Sequence, residues 1–167
     1  KSCHLMVHES EHGLYHILLD AAEASDLRYL LHPDADYIWI HSHLPDPAIR
    51  WWTADVPISP GVVWPSAKVR LMEYDLMMTR HEFLDRIELF NPHGLRLTQL
   101  TKAVPDSLWL NSLPEEQATC ILLQNGMKAR FFLPHRVETA EFVCTDRAHL
   151  EHVITLPQIK AKLRSSP

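Results

Sequence analysis

His8-Glu9-Ser10-Glu11-His12-Gly13-Leu14-Tyr15-His16-Ile17-Leu18-Leu19 decides the fold, because its two halves ask for different backbones. His4, His8, His12 and His16 recur at every fourth position, a spacing that shares one face of a helix and equally one face of a strand. Leu14 to Leu19 is short, rich in aromatic and branched apolar residues, and too dense for a one-faced helix, so it reads as a buried strand. Gly13 stands between the halves and weakens any helix that would run from one into the other. We therefore expect the chain around Tyr15 to be extended, with the preceding histidines at the surface or half-buried.

The helical alternative carries chemistry. In a zinc peptidase the two histidines of His-Glu-x-x-His lie one turn apart and bind the metal, while the glutamate activates the zinc-bound water. His8 and His12 would be the ligands, Glu9 the catalytic residue, and His16, Glu23, His41 or His43 the third ligand. On the extended reading the chain has no catalytic residue, metal ligand or cofactor to assign. With twelve histidines among 167 residues, composition alone produces the pattern roughly one time in twenty, so it is suggestive rather than decisive. His41-Ser42-His43 and His149-Leu150-Glu151-His152 also bring pairs of imidazoles to one face, and each pair reads as structural.

Outward from this stretch, Ser25 and Asp26 open a helix carrying Leu27, Leu30 and Leu31, stopped by Pro33. Asp36 to Ser42 alternates as a strand, with Tyr37, Trp39 and His41 on one side. Between residues 44 and 65, Pro45, Pro47, Pro57, Pro60 and Pro65 make a stiff excursion. Its Trp51, Trp52 and Trp64 either fold back as a lid or anchor a partner. Ala67 to Tyr74 reads as one strand. Thr79-Arg80-His81-Glu82 has the capping-box form ahead of a Phe83, Leu84, Ile87 and Phe90 stripe that stops near Asn91-Pro92. Leu95, Leu97 and Gln99 alternate as another strand, and Ser112-Leu113-Pro114-Glu115 is a second capping box. Asn125-Gly126 offers a two-residue hairpin turn between Cys120–Gln124 and Met127–Phe132, the reading we prefer over a helix ending at Gly126. Asp146 starts a final helical stretch, interrupted at Pro157 and resuming to Leu163.

The expected architecture is α+β (or α/β): a mixed sheet with flanking helices in a single layered domain over residues 1–167. The chain starts Lys1-Ser2-Cys3 without an initiator methionine, so it is processed, or is the N-terminal lobe or another fragment of a longer chain. A composition 46% apolar and 22% charged, with net charge −5, is that of a soluble globular protein with no basic field for nucleic acid. No apolar run approaches the roughly 20 residues that span a bilayer. Cys3, Cys120 and Cys144 cannot all pair and share no CxxC spacing, which suits reduced thiols in a cytosol. Neither GxGxxG nor GxxxxGK[ST] occurs.

Two stretches together carry a family resemblance. Leu14-Tyr15-His16-Ile17-Leu18-Leu19-Asp20-Ala21-Ala22 leads into a short helix, and Asn125-Gly126 is followed by Arg130-Phe131-Phe132-Leu133-Pro134-His135-Arg136-Val137. They resemble the adaptor, or effector chaperone, proteins of bacterial type VI secretion, over roughly residues 14–137. Members typically open with Leu-Tyr-x-Leu-hydrophobic-Asp-Ala-Ala and later carry Arg-Phe-Tyr-Asp-Pro-x-Val after a glycine turn; Leu133 stands where the family usually has aspartate. The resemblance implies a cytoplasmic, non-enzymatic protein that holds a secreted effector and helps load it onto the secretion spike. On that reading we take Trp51, Trp52 and Trp64 as partner-binding anchors.

Overall fold

The computed structural model describes residues 8–9, 13–42, 68–70, 73–103 and 113–164. Strand β1 (His8–Glu9) pairs antiparallel with β2 (Tyr15–Asp20), placing His8 opposite His16. Gly13, at φ 72, lies in the connection, in the left-handed region that glycine enters most easily. The extended reading holds. A helix running through His8-Glu9-Ser10-Glu11-His12 does not fit a backbone already paired as a strand at His8–Glu9; His12 itself lies outside the described residues.

Strand β3 (Tyr37–Ser42) forms where expected. The expected strand over Ala67 to Tyr74 is instead parts of two: β4 (Lys68–Arg70) and β5 (Glu73–Thr79) pair with Arg70 opposite Glu73, and β5 continues to the helix cap. Next come β6 (Leu95–Leu100), β7 (Met127–Phe132), β8 (Thr139–Cys144) and β9 (Leu163–Arg164). The nine strands among the described residues form one sheet in the order β1-β2-β8-β7-β6-β3-β5-β4, and β9 joins the outer edge of β2. Every described pairing is antiparallel, so the fold is α+β rather than α/β. What is mixed is the connectivity: β2 to β3 crosses three strands, whereas β7 and β8 are consecutive neighbours.

Helices cover both faces. Against one, the 3₁₀ segment Ala24–Leu30 brings Leu27 and Leu30, and α1 (Arg80–Arg86) brings Phe83, onto Ile17, Leu19, Ile38, Ile40, Leu97, Phe131 and Phe142. Leu150 and Val153 of a later helix (Arg147–Val153) and Ile159 of the last (Pro157–Lys160) complete this layer. Such fully buried side chains each contribute roughly 1.5–3 kcal/mol of transfer free energy, which makes this layer the main source of stability. On the other face, Leu122 of α2 (Glu115–Gln124) packs with Leu14, Trp39, Met77, Leu100 and Met127. With α2 defined, the two later helices are α3 (Arg147–Val153) and α4 (Pro157–Lys160). No helix among the described residues is long and apolar enough to cross a membrane.

The Thr79 capping box forms as expected: Glu82 N–H donates to Thr79 Oγ1 at 3.2 Å, and Thr79 N–H to Glu82 Oε1 at 3.4 Å. Phe83, Ile87 and Phe90 are buried, but Leu84 turns outward at 38% exposure. The early 3₁₀ segment is capped by Glu23 rather than Ser25, because the Asp26 carboxylate accepts the Glu23 N–H at 2.8 Å.

The preferred hairpin at Asn125-Gly126 is overturned. Cys120–Gln124 is helical, and Asn125 caps it, its N–H reaching Ile121 O and Leu122 O at 3.1 and 3.0 Å. Gly126 then takes φ 85, and a Cβ there would stand 2.0 Å from Thr101 Oγ1, so a side chain would be strained and would force Thr101 to move. Of the second capping box, Ser112 lies outside the described residues; α2 starts at Glu115 with Pro114 as its N-cap and no side-chain cap. The last helical stretch ends at Lys160, and Leu163–Arg164 is strand.

Candidate functional site

His32 sits where the β2–β3 crossover returns to the sheet, at 3% exposure. Pro33 ends the preceding turn, and the chain folds so that Asp34 N–H donates to His32 Nδ1 at 3.0 Å. With Nδ1 accepting, the ring proton is on Nε2, which donates to Asp146 Oδ2 at 3.2 Å. The backbone of His32 is held as firmly: its N–H donates to Gln99 Oε1 at 2.6 Å and its carbonyl accepts from the Arg80 guanidinium. Gln99, fully buried on β6, donates in turn to Leu30 O at 2.9 Å.

The partner carboxylate has two tasks. Asp146 is the N-cap of α3, its Oδ1 accepting from Ala148 and His149 N–H at 3.0 and 3.3 Å, while Oδ2 takes the His32 proton. The bond from His32 holds the Asp146 carboxyl below its ordinary value, and the two helix amides act in the same direction. His149, one turn into α3, lays its ring 4.7 Å from that of His32 at 56° and directs Nε2 to Leu30 O at 3.4 Å. Burial pushes the His149 imidazole below its ordinary value, with the neighbouring His32 acting in the same direction.

Cys144 completes the group. Its Sγ accepts from Asp146 N–H and donates to Asp146 O, both at 3.4 Å, and burial pushes its thiol up to about 11. A thiol so placed stays protonated at neutral pH and is a poor nucleophile. The arrangement therefore joins residues 114 apart in sequence, fixing α3 to the crossover, and it holds no activated nucleophile.

The residues singled out in the sequence fall elsewhere. Trp51, Trp52, Trp64, His12 and His43 lie outside the described residues. His16 is on β2, with Nδ1 3.7 Å from Glu141 Oε2; Glu23 is a helix cap; His41 is buried on β3. His149 lies against His32. Among the described residues, no three His, Cys, Asp or Glu side chains are arranged to hold a metal ion. Sequence reading found Asp146 as a helix cap and missed His32. The available signal was local, a histidine before Pro33-Asp34 at the end of an apolar helix stripe.

Compared with known proteins, the chain matches no family model, no curated protein and no solved structure.

Proposed function

We propose that this chain is a non-enzymatic adaptor of the cytoplasm that binds a secreted effector and helps load it onto the spike of a type VI secretion machine. One observation carries the reading: the two stretches that resemble that family, far apart in sequence, end beside each other. The first runs along β2 and leaves the sheet at Ala21, which takes φ 53 ahead of the 3₁₀ segment. The second runs along β7 and closes its turn at Arg136, φ 64. Ala21 N–H donates to Glu138 O at 3.0 Å, and Thr139 Oγ1 to Asp20 Oδ1 at 2.7 Å, so both motif ends form one corner of the sheet. Non-glycine residues held at positive φ are uncommon and cost energy, which supports treating this corner as a feature rather than an accident of the loops.

Purification of the tagged chain from its native host, followed by mass spectrometry, tests the proposal. Recovery of an effector together with a spike protein is expected, and Trp51→Ala, Trp52→Ala and Trp64→Ala substitutions should lower that recovery. Recovery of neither class of protein removes the proposal.

A further inference from the structure

The inner edge of β2 is matched by β8 over all six residues, Tyr15 to Asp20, but its outer edge is divided. β1 covers Tyr15 and His16, and β9 covers Leu18 and Leu19, each as a strand of two residues. Strands commonly run to about 5–6 residues, so each cover is a minimal one drawn from a different part of the chain. A single extended segment could pair with the whole length that these two share. Native sheets use short edge strands to stop unwanted pairing, and the same feature leaves an edge that a longer strand can take over.

The resident strand shows what the edge accepts. Leu163 packs against the main core from its position opposite Leu19. Opposite Leu18, Arg164 donates to Thr139 Oγ1 at 2.8 Å and stands 3.9 Å from Asp20 Oδ1. Just before them, Lys162 pairs with Asp26 while its carbonyl accepts the Asp20 N–H at 2.7 Å. The edge thus takes an apolar side chain toward the core and basic ones toward Asp26 and Asp20. The Arg164 and Asp20 side chains are 55% and 49% exposed, so the ion pair that fastens the cover is of the weak surface kind.

We propose that the outer edge of β2 is a strand-exchange site, where an extended segment of a protein partner, alternating apolar and basic residues, displaces β9 and the two residues of β1 and pairs along Tyr15–Asp20. The proposal rests on the reading of this chain as a partner-binding protein and names where that partner docks.

The probe is a labelled synthetic peptide copying residues 160–167, titrated into the full chain and followed by anisotropy and amide hydrogen exchange. The resident strand competes in cis, so the chain carrying Leu163→Ala with Arg164→Glu should bind the peptide roughly tenfold more tightly than the native chain. Arg164→Glu alone should move in the same direction by a smaller factor. Bound peptide should slow exchange at Leu18–Asp20, and a peptide with glutamate in place of its arginine should bind several-fold more weakly. Equal affinity for native and substituted chains, no binding by either, or binding without slowed exchange along β2 overturns the proposal. Only this chain and a peptide are used, so a sealed edge fails here while an effector is still recovered from the host. The adaptor reading fails only when no effector or spike protein is recovered.

Discussion

At His32 and at the outer edge of β2, the fold joins chain segments more than a hundred residues apart, but by different means. His32 is almost wholly buried; its N–H, Nε2 and carbonyl meet partners on three different elements, Gln99 on β6, Asp146 at the start of α3 and Arg80 on α1, while Nδ1 accepts from the neighbouring Asp34. At the edge, Arg164 and Asp20 are half in water and the strand they hold is two residues long. The difference is one of desolvation on the His32 side of the junction, since the Asp146 side chain is itself 45% exposed. A hydrogen bond away from water cannot be replaced when its partner is lost, whereas water takes over at an exposed pair. The junction at His32 should therefore open only with the whole fold, and the edge should open by itself.

The sheet beneath sets the scale. Truncating Phe131, fully buried on β7, to alanine is expected to cost about 3–5 kcal/mol in denaturant unfolding, and a loss below that range would mean that the central strands pack no better than the edge. Gln99→Ala comes next. It strands the His32 N–H in the interior, for about 1–3 kcal/mol, and a near-zero effect would erase the contrast between junction and edge.

The junction should also respond to acid. Because burial favours neutral His149, its contribution is intact above its ordinary value of 6.5 and falls as the pH drops through that value. Asp146, held low by His32, contributes fully above its ordinary 3.8 and loses that contribution only below it. Thermal unfolding of His149→Phe between pH 8 and pH 5 should show a shallower decline than the native chain, and parallel curves would remove His149 as its source. Smallest of all, Arg164→Glu should change global stability by less than about 1 kcal/mol while speeding exchange at Leu18–Asp20; an effect on stability as large as that of Gln99→Ala would make the edge a full part of the core.

Where one physical rule governed a stretch, the sequence was readable. β2, β3, β6 and β7 follow from apolar density or alternation, and Thr79 and Asp146 cap helices as their side chains dictate. β8 was not read from the sequence, although Ala140, Phe142 and Cys144 alternate inward. The segment before Asn125 was misread because a short apolar run suits a strand or a buried helix equally, and the choice was made by Trp39, Leu100 and Met127, which Leu122 meets only in three dimensions. The pairing of His32 with Asp146 spans 114 residues, and nothing local to either residue names the other.

The central claim is that His8–Glu9 is an edge strand paired to Tyr15–His16. Backbone chemical shifts and proton contacts for residues 8–20, recorded without and with one equivalent of zinc, test it most directly. The account predicts strand-type shifts at His8–Glu9 and Tyr15–Asp20, with a cross-strand contact between His8 and His16 that zinc leaves unchanged. Helical shifts running from His8 through His12, with stoichiometric zinc that is lost in His12→Ala, would contradict it.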